Sequence, residues 1–153
     1  MLIAVGRVLF ALLFIFSGVS KFFDIGSTAE VIQAKVLIPD TIASSIVQIE
    51  NAVGMTVFRL LAYLAASTEV VCGLMIAFNL ATRFFALILL IFVVVTTFYV
   101  HDFWNQSGGS ERLENIVHVM KNISIVGALL MIIGYRPMVT PVSAPSYVER
   151  HDL

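Results

Sequence analysis

Charged residues are scarce in this sequence. They make up 12% of the 153 residues, against about 25% in soluble domains, whereas hydrophobic residues make up 59%. The formal net charge is only -1, which argues against nucleic-acid binding because that function requires a strongly basic surface. The composition therefore predicts an integral membrane protein whose partner is the lipid bilayer, with no nucleic-acid partner.

Cysteine is almost absent as well. Cys72 is the single cysteine of the chain. One cysteine cannot form an intramolecular disulfide or a CxxC dithiol centre. We therefore do not expect this chain to carry out thiol–disulfide chemistry on its own.

Four apolar segments are long enough to cross a bilayer as helices, which takes about 20 residues. The predicted spans are residues 2–20, 60–78, 84–100 and 115–135. The turn between the second and third spans is short, so these two spans are expected to be antiparallel neighbours. We predict an all-α integral membrane fold, a four-transmembrane-helix bundle forming one domain over residues 1–136, followed by an extended tail over residues 137–153.

The connection between the first two spans is predicted to be an amphipathic helical loop. Ser27 followed by Glu30 fits a capping box that opens a short helix, and Pro39 would end it. Beyond Pro39, apolar residues recur at helical spacing with polar residues between them. These are Ile42, Ile46, Ile49 and Val53. One or two helices are expected, lying on the membrane surface or capping the bundle.

Glu69 lies near the middle of the second span. An ionised side chain at that depth costs at least ~2.5 kcal/mol, so it normally faces protein or water rather than lipid. The neighbours of Glu69 at helical spacing are small, and small residues let a second helix approach closely. They are Ala62, Ala65, Ala66 and Gly73. Glu69 is therefore predicted to point into the bundle.

Every predicted span contributes polar groups to the half of the bundle near the longer loops. We single out Glu69 and Lys121 as the candidate catalytic pair, because a buried carboxylate and ammonium each lower the other's desolvation penalty. The pair would either fix the helix register or belong to a pocket that holds a small molecule or relays a proton. The other polar groups are candidate ligand-binding residues: Lys21, His101, Asp102, His118 and Asn122.

A metal site is not expected. His101 and His118 flank one loop and are weak evidence for a metal or haem without further ligands. Hydrogen bonding at the membrane interface is the preferred role for both histidines.

Six short motifs occur along the chain with a recognisable order and spacing. They are Gly6-Arg7, Ser17–Lys21, Thr68–Gly73, Ala81-Thr82-Arg83, His101–Asn105 and Met120–Ile123. Together they resemble the DoxX family, over about residues 4–134. The resemblance implies a small four-helix protein of the bacterial inner membrane, and it implicates one group of polar residues: Lys21, Glu69, His101, Asp102, Lys121 and Asn122.

The resemblance also implies a link to redox metabolism, since relatives include subunits of quinol- and quinone-linked oxidoreductases. The leading hypothesis is a membrane subunit with a pocket for a quinone or similar lipophilic molecule. Glu69 would accept or deliver a proton, and Lys121 or His118 would bind a ring oxygen. No flavin, haem or iron–sulfur motif is visible, so a redox partner protein would supply electrons.

Other functions remain open at this point, including whether the chain is an enzyme at all. One alternative is a non-catalytic scaffold or assembly subunit of an oxidoreductase complex, with the amphipathic loop as a docking surface. A carrier of small amphiphiles would require a homo-oligomer, because four spans form a narrow bundle. Four spans place both termini on one side of the membrane. Lys and Arg occur on both sides, so the positive-inside rule does not decide the orientation; we expect the terminal side to be cytoplasmic.

Overall fold

The computed structural model describes residues 1–100 and 108–135. Its helices are α1 Leu2–Phe23, α2 Ile25–Lys35, α3 Asp40–Val53, α4 Val57–Ala77, α5 Thr82–Val100 and α6 Ser110–Gly134. Within these two stretches α1, α4, α5 and α6 are long and apolar enough to cross a membrane. The all-α membrane fold with four spans is thereby confirmed. The predicted tail over residues 137–153 lies outside the described residues.

The helices differ from the predicted spans at their ends. α1 continues through Lys21 to Phe23, and α6 begins at Ser110 rather than near residue 115. Hydropathy marks only the part of a helix that lies in hydrocarbon, and the polar turns that continue the helix beyond it are not included. Lys21 therefore belongs to α1 itself.

Side chains from the preceding loop define the start of α4. Glu50 Oε1 accepts a hydrogen bond from Val57 N at 2.8 Å, and Thr56 Oγ1 accepts one from Arg59 N at 3.4 Å. A helix leaves its first four N–H groups without intrahelical partners, and these two oxygens satisfy two of them. The start of the second span is thus tied to the helical loop.

The loop contains two helices, α2 and α3, as the pattern predicted. The N-cap of α2 is Asp24 rather than Ser27, and Asp24 Oδ1 accepts from Ser27 N at 3.1 Å. Asp caps a helix as well as Ser does, and Asp24 stands directly where α1 ends, so the predicted capping box is wrong. α3 follows Pro39 and ends at Val53. Its C-cap is Gly54, whose φ of 74° is the left-handed conformation that favours glycine at this position.

The packing order of the spans is α1, α4, α5, α6, each contacting the next. α2 packs mainly on α4 and also reaches α1 and α5, while α3 touches α4 alone among the described helices. Within residues 1–100 and 108–135, α1 and α6 do not pack against each other. The bundle is therefore open between its first and last spans.

α1 and α4 approach each other closely because glycines lie at their contact. A Cβ atom on Gly18 would lie 2.7 Å from the Ala66 carbonyl oxygen and 2.7 Å from Val70 Cγ2. A Cβ atom on Gly73 would lie 2.8 Å from Ile15 Cγ1. Lipid tails are as apolar as the helices, so close van der Waals packing of this kind is what holds such helices together.

We expect Gly18→Ala to separate α1 from α4 and to lower the free energy of unfolding by about 1–3 kcal/mol, because the added methyl meets backbone that cannot rotate away. Equilibrium unfolding in detergent micelles measures the change. Gly127→Ala on α6 is the matched control, since a Cβ there meets nothing within 4 Å, and it should be neutral or stabilising by about 0.5–1 kcal/mol. Equal stability of Gly18→Ala and wild type would contradict the close contact.

Candidate functional site

Glu69 forms an ion pair with Lys21 inside the bundle. Lys21 Nζ lies 2.6 Å from Glu69 Oε2 and donates a second hydrogen bond to Ser17 Oγ at 2.7 Å. The Glu69 side chain is 8% exposed and that of Lys21 is 29% exposed. The pair thus has a covered acid and a base that remains partly accessible.

The close contact between α1 and α4 determines the position of this ion pair. Ser17 and Lys21 are one turn apart on α1, and Gly18 between them lies against α4, where its added Cβ would be 3.0 Å from Glu69 Cβ. A larger residue at position 18 would push Glu69 away from α1. The missing side chain of Gly18 therefore brings the acid within reach of Lys21.

Lys121 does not contact Glu69, so the predicted pair is wrong. Lys121 is exposed, and its Nζ lies 3.4 Å from His118 Nδ1. Both residues lie on α6, which packs against α5 and not against α4 within the described residues. Their positions along the predicted spans gave Glu69 and Lys121 a similar depth in the membrane. In the packing order of the helices, however, α5 lies between α4 and α6.

The remaining predicted site residues lie elsewhere. Asn122 Nδ2 donates to Thr97 Oγ1 at 2.8 Å and so joins α6 to α5 beside a small apolar cavity. His101 and Asp102 lie outside the described residues. Among the residues that are described, no group of three or more His, Cys, Asp or Glu side chains is arranged to hold a metal ion.

Two aromatic rings meet across the same α1–α4 interface. Phe22 directly follows Lys21 in sequence, and its ring centroid lies 6.2 Å from that of Tyr63, with the planes tilted by 44°. Both rings are partly exposed. They provide an apolar surface at the end of α1 that carries Lys21.

A second polar site lies at the other end of the spans, where none of the predicted site residues that the structure describes is found. A cavity of about 810 Å³ is bounded by the start of α1, the α4–α5 turn and the end of α6. Arg7 Nη1 donates to Asn79 Oδ1 at 2.8 Å, and Thr82 Oγ1 donates to the same oxygen at 3.1 Å. Arg83 Nη2 donates to the Tyr135 carbonyl oxygen at 2.6 Å.

The α4–α5 turn has an unusual backbone at this cavity. Asn79 has φ of 60° and Ala81 has φ of 43°. Asn tolerates the left-handed region, whereas alanine rarely adopts it. The contacts that hold Asn79 to Arg7 and Thr82 stabilise this turn. In the sequence, Arg7, Asn79 and Arg83 all lie near the ends of predicted spans on the same side of the membrane, and this was the signal that could have indicated the site.

An all-helical chain with four membrane-spanning helices and an ion pair between two of them is a multi-pass membrane protein. The DoxX family model matches residues 2–102, most of the chain, and the protein belongs to the DoxX family. The match covers α1 to α5 and includes Lys21 and Glu69, but it ends before the Met120–Ile123 motif on α6. No curated protein and no solved structure matches the chain significantly.

We expect Lys21→Met to lower the free energy of unfolding by about 3 kcal/mol, because it leaves the covered Glu69 carboxylate without its partner. The double variant Lys21→Met/Glu69→Leu removes both charges and should recover most of that loss, as buried ion pairs often can be replaced by apolar residues. Unfolding in detergent micelles gives both values.

Lys121→Met makes the same chemical change at an exposed position of α6 and should alter stability by less than about 0.5 kcal/mol. Equal losses for Lys21→Met and Lys121→Met would show that the contact with Glu69 carries no stability.

Proposed function

We propose that this DoxX protein is a membrane subunit of redox metabolism that binds a quinone, or a lipophilic molecule of similar shape, beside the Lys21–Glu69 ion pair. The observation that carries the proposal is a covered carboxylate in direct contact with a partly exposed ammonium. Ionisable residues inside membrane spans generally mark ligand or proton pathways.

The hydrogen bonds of Lys21 leave capacity for a ligand. An ammonium group has three N–H donors, and Lys21 directs one to Glu69 and one to Ser17. Among the described residues the third donor has no partner, and we propose that it binds a ring oxygen of a quinone. Oxidation of a quinol releases two protons and two electrons. Glu69 would accept the protons one at a time and pass each on before taking the next, while the electrons go to the redox partner protein; in the reverse direction Glu69 would first take up each proton that it delivers.

The surroundings of the ion pair suit a flat apolar ring. The exposed faces of Phe22 and Tyr63 lie at the same helix interface, and ligand sites combine apolar walls with a few polar groups that set orientation. Electrons would pass between the quinone and a redox partner protein, so the chain would act as one subunit of an oxidoreductase complex.

The proposed location is the inner membrane of a bacterial cell, with both termini in the cytoplasm. Arg7 and Arg83 lie on the terminal side, and Arg136 follows α6 in the sequence; Lys21, Lys35, Arg59 and Arg112 belong to the other side. Cytoplasmic loops are enriched in Lys and Arg, and these counts alone do not choose between the two orientations.

Mass spectrometry of lipophilic molecules that co-purify in mild detergent tests the site. We expect a quinone with the wild type and a loss of roughly tenfold in Lys21→Met and in Glu69→Gln, because each removes a charge-assisted contact. Lys121→Met is the matched control and should retain the quinone. Retention in all three variants, or no quinone in the wild type, would overturn the proposal.

A second candidate function is a non-catalytic scaffold, and α3 is the observation that favours it. No residue of α3 is buried, and its apolar side chains Ile42, Val47, Ile49 and Val53 are exposed. In this case the ion pair would serve only the helix register, and α3 would bind a partner subunit.

The scaffold function predicts that a stoichiometric partner co-purifies from native membranes. Ile42→Asn/Ile49→Asn would release it, because the two residues lie on one face of α3, two turns apart. Ser44→Asn, on the opposite face, would not. A preparation that contains only this chain, with and without the changes, would exclude the scaffold.

A further inference from the structure

We propose that the cavity between α1, the α4–α5 turn and α6 binds an acidic phospholipid of the bilayer. Its phosphate would lie between Arg7 and Arg83, and one acyl chain would lie between α1 and α6. This inference concerns the opposite end of the spans from Lys21 and Glu69, and it does not depend on the proposed quinone site.

The polar end of the cavity carries two positive charges, and the described residues around it provide no counter-charge. The hydrogen-bond acceptors of Arg7 and Arg83 are neutral oxygens, the Asn79 side-chain amide and the Tyr135 carbonyl. No Asp or Glu is among the residues that line the cavity in the described part of the chain. Guanidinium groups bind phosphate oxygens through paired, charge-assisted hydrogen bonds, so an anionic headgroup is the complement of this end.

Arg7 also retains an unused donor. Its Nε atom is buried and has no hydrogen-bond partner among the described residues. Buried polar groups are nearly always hydrogen-bonded, and a charged donor without an acceptor is costly. A small rotation of the Arg7 side chain would turn this donor toward the cavity, where an oxygen of a bound phosphate would supply the missing acceptor.

The walls of the cavity are apolar. Phe10 and Phe84 lie on one part of the wall, and Ile132 and Met131 of α6 form another. A volume of about 810 Å³ falls within the range of about 300–1,000 Å³ that ligand sites in proteins show. It provides space for part of an acyl chain and more than a free inorganic phosphate requires.

The cavity opens between helices whose backbones lie apart. In the described residues no Cα atom of α1 lies within 8 Å of one of α6, and Ile3 and Met131 on the two walls are 58% and 72% exposed. Such side chains at the surface of a membrane span face lipid. A lipid could therefore enter sideways from the bilayer without crossing water.

The arginines lie at the depth at which lipid headgroups are found. Arg83 is the second residue of α5 and Arg7 lies in the second turn of α1. Basic pockets between membrane-spanning helices at this level bind acidic lipid headgroups. A docked phosphate would thus reach both guanidinium groups while its chains stayed among the helices.

Native mass spectrometry in nanodiscs tests this inference with phosphatidylglycerol and phosphatidylcholine of equal chain length. We expect the wild type to retain phosphatidylglycerol preferentially, and Arg7→Gln/Arg83→Gln to weaken its retention by about tenfold or more. Gln keeps a donor for Asn79 and for the Tyr135 carbonyl, so the local hydrogen bonds can persist. The control Arg59→Gln/Arg112→Gln removes two exposed charges at the other end of the spans and should change nothing.

A second pair of variants tests the acyl-chain wall. Gly6 lines the cavity and Gly127 does not, and a Cβ atom on either glycine meets nothing within 4 Å. Gly6→Leu should reduce phosphatidylglycerol retention, whereas Gly127→Leu should leave it unchanged. Both changes replace glycine by a good helix former, so unfolding should not obscure the result.

Three outcomes would overturn the inference: equal retention of both lipids by the wild type, unchanged retention in the double arginine variant, or displacement of the lipid by millimolar inorganic phosphate. The last would identify free phosphate as the ligand. Quinone content is measured in the same samples, and the two sites are independent if the arginine variant keeps quinone while Glu69→Gln keeps phosphatidylglycerol.

Discussion

The contact between α1 and α4 determines how this membrane protein is assembled. Gly18 leaves room for the backbone of α4, and the helices approach closely enough for Lys21 to reach Glu69. Without that approach, the carboxylate would remain in hydrocarbon without a partner, at a cost that a single span can hardly accommodate. The close packing of α1 on α4 and the ion pair between Lys21 and Glu69 therefore both depend on Gly18.

The protein separates its polar groups into two sites at opposite ends of the spans. The site near the helical loop holds an acid and a base that neutralise each other. The site near the termini holds two guanidinium groups with only neutral acceptors in the described structure. The ligands that we propose differ accordingly: a neutral molecule that exchanges protons at the first site and an anion at the second.

The fold followed from the sequence because membrane spans are marked by composition. Segments of about 20 apolar residues leave few alternatives to a helix in lipid, and the positions of all four spans were correct apart from their ends. The helical loop was also evident from the spacing of Ile42, Ile49 and Val53, although Asp24 took the capping role expected of Ser27. Asp24 and Ser27 are both good capping residues and lie three positions apart. Asp24, which directly follows α1, forms the cap.

The partner of Glu69 could not be found in the same way. The sequence gives the depth of a residue along its helix, but it does not give the order in which helices pack. Lys21 and Lys121 were both at suitable depths, and the packing of α6 on α5 decides between them. Gly18, next to a serine and one turn before Lys21, was the available signal, because small residues on α1 and α4 indicate which helices touch. The arginine site was missed for a related reason, since it combines residues from three separated segments.

The order of Lys21 and Glu69 along the chain matters during biosynthesis. The two residues are 48 positions apart, so at about 5–20 residues per second Lys21 is made several seconds before Glu69. Lys21 lies near the end of α1, where a long side chain can keep its charge at the membrane surface. Glu69 lies deeper and has a shorter side chain, but Lys21 has already been synthesised when Glu69 is added to the chain. Lys21, whose charge can remain at the membrane surface, is therefore synthesised before its partner. The nascent protein need not expose an unpaired carboxylate to the lipid.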